Sequence, residues 1–370
     1  MTQTLRADSN VLVTGATGLI GGEILRLLAA QPGTGTLWAL IRGKNGSPPA
    51  ERLRHRFQRS GDSTMPERVV EAVEGNVLGV NWDLDDDVWP DVQARVDIIV
   101  HNAADTSFAV RRDTSKTNVE SVERLIDLAR NCPRNPLIVY MSTASNVGDV
   151  TGQTLGEEAG CRPDNKHHNE YTHSKAVGET LLRNSGLPVL ILRPTIVLSR
   201  GLPDPEFARQ ILWCVPLTRV FQALPLDPAS RLDIVDVGFV AEATLRLLGM
   251  PDRKWDCYNI SAGEGHAVTI GELGRIVDLF YKRRTRIELV PMDAWNRESL
   301  RKYVRGDTRK RVFRSLRHYL PFLNMNVVFD NARLQTELGN DFAPEPIANY
   351  FTDLVGLIRA KAALQEAALP

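Results

Sequence analysis

Three side chains have types and spacing suited to carbonyl chemistry: the Thr143 hydroxyl, the Tyr171 phenol and the Lys175 amine. Tyr171 and Lys175 stand four residues apart in Asn169-Glu-Tyr-Thr-His-Ser-Lys175, so a helix through this segment presents both on one face. A phenol with an ordinary pKa near ~10 is a poor acid or base at neutrality. A neighbouring ammonium stabilises the phenolate and draws that value down. Thr143, in Met141-Ser-Thr-Ala-Ser145, adds a hydroxyl that hydrogen-bonds a substrate oxygen. Together the three groups hold the oxyanion formed when hydride reaches a carbonyl carbon. Ser142 is the alternative for the hydroxyl role. A Tyr-x-x-x-Lys spacing also arises by chance, so the reading depends on the elements that deliver it.

The first of those elements lies near the N-terminus. Val11-Leu-Val13 reads as a buried parallel strand, and Gly15, Gly18 and Gly21 follow at three-residue intervals. A helical stripe of Ile24, Leu25, Leu27 and Leu28 comes next. Strand, glycine turn and helix start together receive a dinucleotide pyrophosphate, with Thr17, Leu19 and Ile20 beside the glycines. Strand two, Leu37–Ile41, ends at Arg42 with Lys44 close by. A cation here accommodates the 2′-phosphate of NADP(H), where NAD calls for an acid.

Further along, Glu51–Gln58 and Pro66–Ala72 read as helical, and Val73–Val77 as the edge of a third strand whose tip meets the adenine. The acidic stretch Asp83–Asp91 reads as a solvated loop. Val96–Val100 is strand four and runs into His101-Asn102-Ala103-Ala104, whose small residues admit a flat ligand. A helix follows with Val119, Val122, Leu125, Ile126 and Ala129 on one face. Leu137–Met141 and Leu187–Leu192 are strands five and six, the latter ending in Arg193-Pro194-Thr195. This alternation predicts an α/β, doubly wound parallel Rossmann sheet. Past Gly201 prolines cluster and the rhythm fades, then Leu232–Asp236, a helix over Val237–Leu248 and Cys257–Ile260 return to the sheet. The expected division is a cofactor domain over 1–201 and 232–263, with a smaller, mostly helical substrate cap over 202–231 and 264–370.

The chain has 370 residues, 43% of them apolar, which suffices for a large core. Lys+Arg and Asp+Glu both number 45, so overall charge gives no argument for nucleic acid or membrane. The four cysteines are far apart and suggest neither a disulfide framework nor a zinc site. The polar Met1–Asn10 segment lacks the apolar centre of a signal peptide, and no run reaches the ~20 residues that span a bilayer, so a cytoplasmic protein is expected.

The motifs Thr14–Gly21, Asn102-Ala-Ala104, Tyr171–Lys175 and Arg193-Pro-Thr195 resemble the extended short-chain dehydrogenases/reductases. Within them the chain is most similar to the thioester reductase branch: the reductive release domains of polyketide and nonribosomal synthetases, carboxylic acid reductases and fatty acyl-CoA reductases. His101–Phe108, Met141–Ser145, the Ala50-Glu-Arg-Leu53 helix and Val327–Asn331 carry that narrower likeness. The resemblance implies Thr143 as hydroxyl member, Tyr171 as proton donor and Lys175 as its partner. It implies cofactor contacts from Asn76, Val77, Asn102, Ala103, Ala104, Ser142, Pro194, Thr195 and Ile196. Asn76 stands where that family often has Asp, and Ser145-Asn146 replaces an aromatic-bearing stretch. The implied reaction reduces an acyl thioester with NADPH, releasing a thiol and an aldehyde or alcohol.

His167, His168, Glu170 and His173 are candidate metal ligands, but adjacent histidines point apart, so a solvated loop is expected and no metal. Residues 281–317 hold thirteen Lys/Arg against four Asp/Glu, a local excess of nine positive charges. That face suits an acidic carrier protein or the phosphates of coenzyme A, and equally a solvated helical surface. Nucleic acid is not expected, since no basic-aromatic module is present. Two rival functions stand beside thioester reduction. One is an extended reductase or epimerase acting on a nucleotide sugar or other ketone, and the other is a non-catalytic NADP sensor.

Overall fold

A computed structural model of the chain describes residues 4–43, 46–59, 68–106, 114–200, 215, 221–282 and 286–357. Short β-branched and leucine-rich runs form seven strands: β1 (Val11–Thr14), β2 (Leu37–Ile41), β3 (Val70–Glu74), β4 (Ile98–His101), β5 (Leu137–Met141), β6 (Val189–Pro194) and β7 (Cys257–Ile260). They make one sheet in the spatial order β7-β6-β5-β4-β1-β2-β3, and every pairing is parallel. This is the Rossmann arrangement. The direction of winding reverses between β1 and β4, which opens a crevice at the carboxyl ends of those strands.

Both faces of the sheet are covered, which is why its strands read as continuous apolar runs. Val11, Val13, Ala39 and Val100 pack with Ile24, Leu25 and Leu28 of α1 (Leu19–Ala29) and Val240 and Leu247 of α5 (Val237–Gly249). On the opposite face, Leu12, Trp38, Ile99 and Ile138 meet Val122 and Leu125 of α3 (Thr114–Arg130) and Leu182 of α4 (Glu170–Arg183). The period of two along each strand divides the two sets. Between β2 and β3 runs α2 (Pro49–Arg59).

A second core gathers Leu224, Leu232, Val268, Leu273, Val277, Leu316, Leu320 and Phe351. Its helices include α6 (Ile270–Phe280), α7 (Arg297–Tyr303) and α8 (Asp307–Leu316). Thr269 and Glu272 close a reciprocal cap on α6. The short parallel pair Ile196–Leu198 and Ile234–Asp236 links the second core to the sheet. Buried Asp233 ties the same junction, accepting from the N–H groups of Ala262 at 2.8 Å and Phe329 at 3.0 Å.

Three local expectations fail. The helix expected over Pro66–Ala72 gives way to β3, because Val70–Glu74 pairs in register with Leu37–Ile41; Pro66 and Glu67 lie outside the described residues. The third strand therefore ends at Glu74, earlier than the expected Val77. Within the acidic stretch, a short helix starts at Trp89 with Pro90 in its first turn. Among the described residues, no helix is long and apolar enough to cross a membrane.

Candidate active site

Gly15 opens the glycine turn with φ +66°, and a Cβ there would stand 2.9 Å from the Asn102 carbonyl carbon. Gly21 is required by packing: a Cβ at that position would lie 2.5 Å from the Gly15 carbonyl oxygen. Gly18 starts α1 with no side chain capping it, so first-turn N–H groups face the crevice. Buried Arg56 braces the turn from α2, its Nε donating to the Gly18 carbonyl at 3.2 Å. This glycine cradle and open helix end fit a dinucleotide pyrophosphate.

The cleft has a volume of about 790 Å³ and is lined by Gly15, Thr17, Gly18, Leu19 and Ile20 on the α1 side. Arg42 and Val77 line it toward β2 and β3, and Asn102, Ala103 and Ala104 at the end of β4. Two residues named from sequence do not line it. Gly21 packs behind the turn, and Asn76 bends back so that its Oδ1 accepts from Leu78 N–H at 3.2 Å. Lys44 lies outside the described residues, as do Ser107 and Phe108.

The Asn102–Ala104 turn is held by Thr14, whose Oγ1 accepts from the N–H of Asn102 at 3.1 Å and of Ala103 at 3.0 Å. With both lone pairs used, the Thr14 hydroxyl donates to His101 Nδ1, 3.3 Å away. His101 is wholly buried, and desolvation first, then the Lys175 charge, lowers its pKa to about 3. It is a neutral ring, not an acid or base, in this site.

Asn169 caps α4 by accepting from Thr172 N–H at 2.9 Å, which places Tyr171 and Lys175 on the turn facing the cleft. Thr143 leaves β5 into the same cleft, and Pro194, Thr195 and Ile196 come from the end of β6. The structure thus brings Thr143, Tyr171 and Lys175 together at the carboxyl edge of the sheet. Their electrostatics differ from expectation. Desolvation pushes the Tyr171 phenol up to about 12, so it is held protonated. Burial pulls Lys175 down to about 7, against the opposing pull of Glu179. Its Nζ sits 4.1 Å from the centroid of the Tyr140 ring.

Ser142 and Thr143 have different partners. Ser142 Oγ donates to Glu179 Oε2 at 3.0 Å, while Thr143 Oγ1 accepts from Ser145 N–H at 3.3 Å. The Thr143 proton stays available to a ligand, which favours Thr143 over Ser142 for the hydroxyl role.

Several lining residues escaped the sequence reading. Arg52 reaches the cleft from α2, and Tyr319 and Phe322 reach it from the segment 319–322, where Phe322 packs against Ala144, Val147 and Met325. Only the amphipathic spacing of α2 could have pointed to Arg52; nothing local marks the other two. His167 and His168 point apart: His167 Nε2 meets the Arg162 carbonyl at 2.9 Å and its ring packs edge-on against His173, while His168 lies 3.3 Å from the Asp149 carboxylate. No metal-binding group of three ligands occurs among the described residues.

The Drosophila melanogaster protein CG8303, which carries a provisional fatty acyl-CoA reductase name, is 30% identical over 224 residues. That match covers 52% of this chain and 41% of the relative, so the chain spans less than half of its length. The terminal R domain of the myxalamid PKS-NRPS pathway superposes with a TM-score of 0.76 at 21% identity, covering 99% of this chain and 93% of that one. The thiolation-reductase di-domain of an archaeal nonribosomal peptide synthetase gives 0.70 at 18% identity, with 98% and 92% covered. Residues 13–244 match the NAD-binding family described as male sterility protein. The chain belongs to that family, a thioester reductase-like branch of the extended short-chain dehydrogenase/reductase oxidoreductases.

Proposed function

We propose that the protein is an NADPH-dependent reductase of acyl thioesters. The observation that carries this reading is the convergence of Thr143, Tyr171 and Lys175 beside the glycine cradle in one cleft. Bound there, the cofactor's nicotinamide supplies hydride to the thioester carbonyl carbon. Thr143 donates a hydrogen bond to the carbonyl oxygen. Tyr171, held protonated, gives its proton to the developing oxyanion, which suits the reductive direction. Lys175, charged in part near neutrality, stabilises the phenolate that remains. The hemithioacetal then collapses to an aldehyde and a free thiol.

Arg42 and Arg52 both line the cleft at the end of β2 and support NADPH over NADH. The sheet with its flanking helices serves as the cofactor domain, and the second core as the substrate cap. Phe322 belongs both to the cleft and to a small adjoining recess of about 20 Å³ with Leu232, Met325, Val327 and Phe329, where the acyl group would begin. Carrier delivery is supported by exposed Arg297, Arg301, Lys302, Arg305, Lys310 and Arg311 on and between α7 and α8, just before Tyr319 enters the cleft. Arg283 and Arg284 lie outside the described residues. Free Cys132, Cys161 and Cys257 suit a reducing, cytoplasmic setting.

The test is NADPH oxidation with acyl-CoA and acyl-carrier thioesters, with thiol titrated in parallel. Thiol release matching NADPH loss supports the proposal, and the ratio separates aldehyde from alcohol. Turnover of ketones or nucleotide sugars without thiol release overturns it.

A further inference from the structure

We propose that Glu179 is the positioning residue of this site, a single buried carboxylate that sets Lys175 and the strand ends carrying Thr143 and Pro194 in one arrangement. The inference rests on the role proposed for Lys175. Glu179 is completely buried on α4, one turn beyond Lys175. Its Oε2 accepts from Ser142 Oγ at 3.0 Å, Asn146 Nδ2 at 2.8 Å and Arg193 Nε at 3.0 Å. Its Oε1 accepts from Arg183 Nε at 3.1 Å and from Arg193 Nη2.

Three of the four donors, Ser142, Asn146 and Arg193, stand next to a cleft residue. Ser142 precedes Thr143 at the end of β5, and Asn146 closes the turn that Thr143 begins. Arg193 precedes Pro194 and Thr195 at the end of β6, and its Nη1 is anchored to the Glu157 carbonyl at 2.8 Å. Three cleft-lining elements are therefore pinned to one carboxylate. A charge buried this deeply demands all its partners, so the geometry tolerates no slack.

Glu179 also acts on Lys175 electrically. The groups around the amine are Tyr171 and Glu179 on α4, the Tyr140 ring on β5 and neutral His101 on β4. Behind Glu179 stand Arg193 and Arg183, and Cys161 packs against the Ala176 carbonyl with its thiol kept protonated by burial. Burial drives Lys175 toward its neutral form, and the Glu179 carboxylate opposes it by favouring the charged amine.

The experiment measures the Lys175 amine without substrate or cofactor. Wild type, Glu179→Gln, Glu179→Asp and Arg183→Gln are acetylated with trace acetic anhydride across a pH series, and modification of Lys175 is read by mass spectrometry. Only the neutral amine reacts. Glu179→Gln is expected to move the labelling midpoint down by about one pH unit. Glu179→Asp keeps the charge and returns it toward wild type. Arg183→Gln removes a half-exposed competing cation and moves it up. An unchanged midpoint in folded Glu179→Gln protein overturns the proposal. Should that variant not fold, an unchanged midpoint in Arg183→Gln overturns it instead. Thioester turnover plays no part in the readout, so failure of the functional reading would appear separately, as wild-type protein that labels normally but releases no thiol.

Discussion

Arg52 donates from its guanidinium to the backbone carbonyl of Arg42, ten residues earlier, and both side chains line the same end of the cleft. The end of β2 thus carries two cations where the sequence showed Arg42 and Lys44. A phosphate monoester held between two guanidiniums gains charge-assisted hydrogen bonds that a ribose hydroxyl cannot match. Arg42→Ala and Arg52→Ala should each raise KM for NADPH by about tenfold, from a lost contact of roughly 1.5 kcal/mol. KM for NADH should stay put. Steady-state kinetics with both cofactors checks this, and equal losses for the two would remove the 2′-phosphate assignment.

Tyr171→Phe keeps the ring and deletes the proton. It should lower kcat by roughly 10² to 10⁴, the usual weight of a general acid. NADPH affinity, read by fluorescence quenching, should not change. NADPH oxidation surviving intact in this variant would contradict the role given to Tyr171.

Acid should unfold the protein partly through His101. Its folded pKa of about 3 lies below the ordinary 6.5, so the folded state resists protonation that the unfolded chain accepts. The associated stability is complete above 6.5 and is lost as pH falls toward 3. At 1.36 kcal/mol per unit the loss is on the order of 4 kcal/mol over that window. His101→Gln, though less stable at neutral pH, should show a flatter fall. Denaturant midpoints measured at successive pH values decide the point.

Gly21→Ala inserts a methyl 2.5 Å from the Gly15 carbonyl oxygen, and backbone must move to admit it. A cost of about 1–3 kcal/mol is expected, together with weakened NADPH binding as α1 shifts off the turn. Thermal melts with and without cofactor would show both effects. A stable variant with normal binding would mean that the helix and turn can separate freely.

Reversing Arg301, Arg305, Arg311 and Arg314 to Glu should raise KM for a carrier-bound acyl group by about tenfold or more and abolish its dependence on salt. An unchanged KM for carrier-bound and CoA-bound substrates alike would leave this face an ordinary solvated surface.

The parts of the site legible in sequence are those whose chemistry is local. Gly15 and Gly21 are dictated by a turn and a close approach within a few residues, and Tyr171 and Lys175 by one helix turn. Misreadings arose where distant chain decides. Val70–Glu74 becomes a strand because β2 pairs with it. Asn76 is a local exception: its Oδ1 accepts from Leu78 N–H two residues on, a turn that residue type alone does not announce. Arg52, Tyr319 and Phe322 enter the site only once α2 and the segment around Phe322 and Met325 have packed onto the sheet edge. The rise of the Tyr171 pKa was likewise invisible, since burial is a property of the assembled fold.

The division into two cores bears on how such a protein changes over generations. The sheet core and the second core are packed from separate sets of side chains and meet through narrow links such as Asp233 and the Ile196–Leu198 pairing. A volume change inside one core is absorbed largely by its own neighbours. Second-core residues such as Leu273, Val277 and Phe351 can therefore drift together while Thr143, Tyr171 and Lys175 keep their places, whereas Phe322 is tied to Ala144 and Val147 beside Thr143. A lineage built on this chain can vary the second core without rebuilding the sheet edge that carries Thr143, Tyr171 and Lys175.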